Sequence, residues 1–254
     1  MEWMIDFIIY VYIFLLGLFL GSFFNVVGIR IPAKTTLWGR SHCPSCGHQL
    51  GWLELFPIIG YLVIRGKCKH CKKPVSIKYP LMELLTASLF LVSYVFFGGN
   101  MVEYSLIVVF VSLMTIVTVS DLYYKIVPDI ILLIFFVPIL MLRIFSGYMP
   151  WYEGVIGGIA GFVFLYLISL YGKKRFGQDA LGGGDIKLYL LIGIFLGYQL
   201  VFLSLIFAAL TGMIWSAIKK HKEGEYLAFV PYIYLGSMIA YYFGYQVLDL
   251  YNSL

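Results

Sequence analysis

Two stretches of this chain carry residue types that their surroundings do not explain. Leu181-Gly182-Gly183-Gly184-Asp185-Ile186-Lys187-Leu188 sets three glycines directly before a carboxylate. Glycine permits positive φ and leaves room for another backbone to lie alongside. The apolar run 188–196 then places Asp185 at the mouth of a hydrophobic segment, where an unpaired charge is costly and a functional role is the default reading. Asp121-Leu-Tyr-Tyr-Lys-Ile-Val-Pro-Asp129 closes another apolar run with a second carboxylate. An acid at a helix C-terminus meets the negative end of the helix dipole, so Asp121 lacks a local structural reason. Asp129 has one: Pro128 suits a first helical turn, and Asp129 then sits near the positive end, in a structural or supporting place. Two aspartates held close cannot both ionise easily. One proton is shared; the ionised partner can draw a proton from water while the protonated one donates to a peptide carbonyl oxygen. That is acid–base hydrolysis without a covalent intermediate. Ser120 has no histidine near it in sequence, which leaves no persuasive nucleophile.

A second constellation is made of thiols. Cys43-Pro-Ser-Cys46-Gly47 is followed by Cys68-Lys-His-Cys71, with 21 residues between Cys46 and Cys68, and the chain has no other cysteine. Two such knuckles supply four thiolates to a tetrahedral zinc, a closed and therefore structural shell. A redox dithiol or spare thiols are the alternatives; disulfides are disfavoured on the reducing side of a membrane. His42, His48 and His70 are read as solvated loop residues, and so is Asp179.

These residues need elements to position them. The chain has 254 residues, 61% of them hydrophobic and 12% charged, with a mean hydropathy of +0.91. Soluble domains average about 25% charged residues, so lipid must be the solvent for most of this sequence. Glu2 and Asp6 precede the first apolar segment, unlike a removable signal peptide. Helical spans need roughly 20 apolar residues. Eight segments are expected, at 7–28, 81–98, 103–120, 128–145, 154–171, 186–198, 200–218 and 227–248. The sixth is short, and Gly193 and Gly197 suggest close helix packing through small residues. The fold class is thus an all-α polytopic membrane protein. Helix 1 occupies 1–28, a zinc-binding loop 29–80, and a seven-helix membrane domain 81–254. Of the 18 basic residues all but Arg143 fall on alternate loops, which places those loops in the cytoplasm and both termini outside it. Asp121 and Asp185 then share one cytoplasmic depth. Aromatic clusters such as Tyr241-Tyr242-Phe243 read as interface anchors.

With these motifs in order, the chain resembles the type IV prepilin peptidases (leader peptidase/N-methyltransferases), of the G-x-G-D class of aspartic membrane proteases. Gly21-Ser22-Phe23-Phe24-Asn25-Val26-Val27 with Arg30-Ile31-Pro32 looks like the family's N-terminal signature. The cysteine pairs are similar to its cytoplasmic zinc loop, and Tyr79-Pro80-Leu81-Met82-Glu83 to the start of its second helix. Asp121 with Pro128-Asp129, and Gly182-Gly183-Gly184-Asp185-Ile186-Lys187, resemble its two aspartate motifs. Phe229-Val230-Pro231 through Gly236 is a looser likeness to the start of its last helix. The resemblance implies cleavage of a basic leader from prepilins or pseudopilins, after a glycine and at the cytoplasmic face of a bacterial inner membrane. It further implies methylation of the new N-terminal amine with S-adenosylmethionine. Asp121 and Asp185 would be the catalytic pair, with Gly182, Gly184, Lys187 and Asp129 in support. Gly21, Asn25, Arg30 and Glu83 are candidates for methyl transfer. Each also has a structural reading: helix packing for Gly21, an interhelical hydrogen bond for Asn25, a cytoplasmic anchor for Arg30, a first-turn acid for Glu83. Zinc and S-adenosylmethionine are the expected cofactors, leader peptides and lipid the partners, and nucleic acid is not among them. A proton or cation relay through the two aspartates is the rival class, opposed by the placement of both acids near one face and by the lack of an inverted repeat. An assembly scaffold is a third, and it leaves the glycine approach to Asp185 unexplained.

Overall fold

The computed structural model describes residues 2–176, 181–219 and 228–253. Asp179, Lys220 and Lys222 lie outside the described residues. The elements are α1 (Glu2–Arg30), two short helices α2 (Trp52–Leu55) and α3 (Ile59–Val63), then α4 (Lys78–Phe97), α5 (Met101–Tyr124), α6 (Asp129–Ser146), α7 (Trp151–Phe176), α8 (Gly183–Lys219) and α9 (Val230–Asn252). Among the described residues the only β-pairing is two isolated bridges, His42 with Gln49 and Lys67 with Pro74. Six of the helices, α1 and α4 to α8, are long and apolar enough to cross a membrane. α9 is long enough, but its tyrosines, Gln246 and Asp249 dilute it.

The chain forms two compact units, residues 1–99 and 100–254. The first holds α1 to α4, so α4 belongs with α1 and the cysteine loop. α1 and α4 run antiparallel at close quarters: a Cβ on Gly17 would lie 2.6 Å from the Ala87 Cα, and one on Gly21 would lie 2.9 Å from the Glu83 Cα. α4 starts at Lys78, which moves Glu83 from the expected first turn into the second.

The second unit is built around α5, whose Phe110, Val111, Leu113, Met114 and Val117 are wholly buried. Asn100 caps α5 by accepting the Glu103 N–H, and it ties the far end of α6 by donating to the Ser146 carbonyl. α8 packs on both α7 and α9, and α6 and α9 both touch α5 and α8.

α8 is two helices. Gly197 has φ 79° and ψ 172°, a region open essentially to glycine alone, and the chain reverses there. Gly161 on α7 faces both Tyr189 before the break and Val201 after it, and Gly157 faces both Gly193 and Gly197. Tyr189 before the break also lies beside Ser204 after it. Residues 183–196 and 198–219 therefore form a tight helical hairpin, with the first half running antiparallel to α7 and the second half parallel to it. A Cβ on Gly193 would lie 2.2 Å from the Gly157 carbonyl oxygen, so the α7 and α8 backbones touch, as small residues allow in membrane helices. The expected segments 186–198 and 200–218 meet at this reversal.

Candidate functional site

Asp121 lies in the last turn of α5 and Asp185 in the first turn of α8. A common ruler gives their depth. The rings of Phe110 on α5 and Phe195 on α8 stack at 3.8 Å. Asp121 is 11 residues from that level and Asp185 is 10, which at 1.5 Å per residue is about 16 and 15 Å toward the same end of the unit. The two carboxyl groups lie within electrostatic reach of each other. Asp121 is buried and Asp185 half-buried, so the pair opens to its surroundings on the Asp185 side.

Four contacts hold these helix ends. Val127, in the α5–α6 turn, lies where a Gly184 side chain would be: a Cβ there would stand 2.6 Å from the Val127 Cβ. Lys187 donates to both carboxylate oxygens of Asp129 at 2.8 Å, joining the amino-terminal ends of α8 and α6. The Ser120 hydroxyl donates to the Ile126 carbonyl at 2.5 Å, and Lys125 ends α5 in the left-handed conformation with its N–H on the Asp121 carbonyl. The triple glycine thus serves close approach at Gly184. None of Gly182, Gly183 and Gly184 has the positive φ that the sequence reading allowed, and a Cβ on Gly183 would meet nothing within 4 Å.

The Val230 N–H at the start of α9 donates to Asp121 Oδ2 at 3.1 Å. A helix start offers unpaired N–H groups and a positive dipole end, a fitting neighbour for a carboxylate. Sequence reasoning missed this partner; Pro231, in the first turn of α9, was the available sign of a helix start at that point. The Lys187–Asp129 pair is 53% and 61% exposed at its side chains, and exposed pairs contribute about 0–1 kcal/mol. Lys187→Met should therefore leave thermal unfolding almost unchanged. If the pair positions Asp185, the same variant should lower kcat of the chain's reaction, and Lys187→Arg should restore most of it. A loss of stability larger than the loss of rate would assign the pair a structural role alone.

The four thiols come together as expected. Cys43 Sγ lies 3.8 Å from Cys71 Sγ and Cys46 Sγ 4.0 Å from Cys68 Sγ, and all four sulfurs fall within 4.8 Å of one another. A tetrahedral shell with Zn–S bonds of about 2.3 Å has sulfurs about 3.8 Å apart, so the donor set fits zinc. Backbone N–H groups of Ser45 and Cys46 pull the Cys43 thiol down to about 6. The His48 N–H acts likewise on Cys46, but desolvation and the thiols of Cys71, Cys43 and Cys68 outweigh it and push Cys46 up to about 11. Four clustered thiols do not ionise together unaided; a dication supplies the missing charge. The knuckles are structural repeats offset by 25 residues: Cys43 and Cys68 take N–H partners from Gly47 and Lys72, and Ser41 and Gly66 from Leu50 and Val75. Lys72 carries at φ 60° the left-handed turn that Gly47 makes at φ 71°. His48 and His70 stack ring on ring at 5.6 Å, and His48 lies 3.7 Å from Glu54, so these two are not simply solvated.

The four residues of the amino-terminal half divide. Gly21 backs onto Glu83, Asn25 donates to the Tyr79 carbonyl at 3.1 Å, and Glu83 Oε2 accepts the Ile58 N–H at 2.8 Å. Ser22 also lies beside the Glu83 carboxyl. Arg30 stands apart, donating to the carbonyls of Thr36, Leu37 and Gly39. Tyr241, expected at an interface, is instead 4% exposed, with its hydroxyl on the buried carboxylate of Glu103.

Residues 15–97 match the family described as Bacterial Peptidase A24 N-terminal domain, and residues 108–217 match the Type IV leader peptidase family. The two matches fall one in each compact unit. Among similar proteins is a prepilin leader peptidase/N-methyltransferase of Bacillus subtilis strain 168, 38% identical over 248 residues, covering 95% of this chain and 97% of the relative. Proteins of the same description from Myxococcus xanthus and Xanthomonas campestris are 35% and 30% identical. They cover 80% and 92% of this chain and 61% and 91% of their own lengths. No solved structure matches.

Proposed function

The chain belongs to the type IV leader peptidase family, and from that premise we propose that it is a multi-pass aspartic endopeptidase of a bacterial inner membrane. It removes the basic leader of type IV prepilins or pseudopilins after a glycine, at the cytoplasmic face, and then methylates the new N-terminal amine. The carrying observation is the placement of Asp121 and Asp185, from different helices, at one depth and within electrostatic reach. The pair shares one proton. The ionised carboxylate takes a proton from water as that water attacks the scissile carbonyl; the protonated carboxyl gives its proton to the carbonyl oxygen. Reversal of these roles delivers a proton to the leaving amine as the C–N bond breaks. Val230 orients Asp121 in this scheme, and the Gly184–Val127 and Lys187–Asp129 contacts hold Asp185 opposite it.

Eight membrane crossings follow when α8 is counted as two at Gly197 and α9 as the eighth, with both termini outside the cytoplasm. Zinc on Cys43, Cys46, Cys68 and Cys71 is structural. S-adenosylmethionine supplies a methyl group, and Gly21, Asn25, Arg30 and Glu83 are the candidate residues toward it. Elemental analysis of the purified protein should give one zinc per chain, and Cys68→Ser should lose it; a preparation without metal and fully folded would end that assignment.

The test of function is incubation of the detergent-solubilised protein with a peptide of basic leader, glycine and apolar run, read by product mass. A shortened peptide supports the peptidase, and a further gain of one methyl group with S-adenosylmethionine supports the transferase. An intact peptide favours a relay or scaffold.

A further inference from the structure

Between the two knuckles, 12 residues, Trp52-Leu-Glu-Leu-Phe-Pro-Ile-Ile-Gly-Tyr-Leu-Val63, carry one charge. They fold as the α2–α3 helical hairpin. Gly60 closes it: a Cβ there would lie 2.4 Å from the Glu54 carbonyl oxygen. Its outer surface is apolar and open, with Trp52 89%, Leu53 64% and Leu62 64% exposed. The one acid, Glu54, points back to the knuckle, accepting the Gly51 N–H at 2.7 Å beside His48.

The hairpin tip sits deep along α1 and α4. The Phe56 ring meets Phe19 edge-on at 5.2 Å, and Phe19 is 11 residues, or about 16 Å, from Arg30 at the end of α1. Ile58 bonds Glu83, five residues or about 7 Å into α4 from Lys78. Half the hydrocarbon core of a bilayer is about 15 Å thick. A tip at that depth must satisfy its own backbone donors, because lipid offers none. From residue 57 to residue 60 it does so: Pro57 has no N–H, Ile58 donates to Glu83, Ile59 to the Pro57 carbonyl, and Gly60 to the Phe56 carbonyl. The Ile59 bond closes a γ-turn with Ile58 at φ 59° and ψ −53°, a rare and strained conformation. Its retention fits a tip whose shape is imposed by a buried acceptor. At the other end Arg65, Lys67, Lys69, Lys72 and Lys73 are exposed, the charge that anionic headgroups attract.

We propose that residues 52–63 are a re-entrant hairpin that dips into the cytoplasmic leaflet, with acyl chains as its partner, and that Glu83 anchors the tip. The cysteine loop expected as wholly cytoplasmic is then cytoplasmic only in its knuckles and flanking strands of coil. The proposal rests on α1 and α4 crossing the membrane and is independent of the peptidase reading.

The test uses the wild-type protein in phosphatidylcholine–phosphatidylglycerol vesicles whose acyl chains carry a photoactivated diazirine, followed by digestion and peptide mass spectrometry. Label in 52–63 should match that of the lipid-facing part of α1 and exceed that of 34–48. Label on α1 with none on 52–63 would overturn the proposal. So would cross-linking of 52–63 to a second copy of the chain in place of lipid. As a second reading, in a background with Trp3, Trp151 and Trp215 replaced by phenylalanine, Trp52→Phe should remove most of the tryptophan quenching by acyl-brominated lipid that Trp38→Phe leaves in place; equal loss in both would also overturn it.

Discussion

Asp121→Asn and Asp185→Asn should each slow cleavage of a prepilin-like peptide by about 10²–10⁴-fold, the contribution of a positioned general acid or base. Asparagine is the informative replacement. At 121 its amide oxygen still accepts the Val230 N–H, and at 185 it keeps the volume of the side chain between Gly182 and the α8 start. Neither variant should therefore unfold, and far-UV circular dichroism and thermal melting should follow the parent. The double variant should be no slower than the worse single one, because the two groups handle one proton between them and act as a unit. Rates come from product mass at saturating and limiting peptide, with the loss falling on kcat. Independent multiplication of the two losses would mean separate roles. Parental activity in either single variant would remove that residue from the reaction and turn attention to Asp129, the carboxylate that Lys187 holds at the start of α6.

Both aspartates were legible because each is an acid at the edge of an apolar run, a placement that lipid penalises. Their convergence was legible in outline, since the distribution of Lys and Arg puts both at the same face. The contacts that achieve it were not. Val127 against Gly184, and Val230 on Asp121, join residues 57 and 109 positions apart, and neither valine differs in sequence from the others around it. The reversal at Gly197 was half visible: Gly193 and Gly197 announced close packing, and the short sixth segment announced a stop, but only φ 79° shows that the chain turns back. In the cysteine loop the spacing of thiols declared the cluster, whereas Lys72 gave no sign that it takes the conformation of Gly47. The apolar run 52–63 is too short to register as a span and too apolar for an ordinary loop, and its depth depends on Phe19 and Glu83, far away in sequence.

Arg143 was the basic residue that fell outside the charge pattern, and replacing it should cost more stability than any other single change at a charged site. It is 1% exposed and Glu103 is wholly buried. Its Nη1 donates to both Glu103 oxygens at 3.3 Å, and its Nη2 to the carbonyl of Phe195. Phe195 precedes the break at Gly197, where carbonyls of the last turn lose their helical donors; Arg143 satisfies one of them. One side chain thus joins α5, α6 and the apex of the α8 hairpin, and the Tyr241 hydroxyl brings α9 to the same carboxylate. Arg143→Met leaves a buried Glu103 without its counter-charge and a buried carbonyl without a donor, a change expected to cost about 3–5 kcal/mol. Glu103→Gln with Arg143→Met removes both charges, keeps an acceptor for Tyr241, and should recover most of the loss. Thermal unfolding in detergent of the parent, both singles and the double measures the coupling. Activity per folded molecule should survive in the double variant, since Asp185 lies about 15 Å away along the same half-helix. A double variant as unstable as Arg143→Met would show that the Phe195 carbonyl, and not the ion pair, is what the guanidinium holds in place.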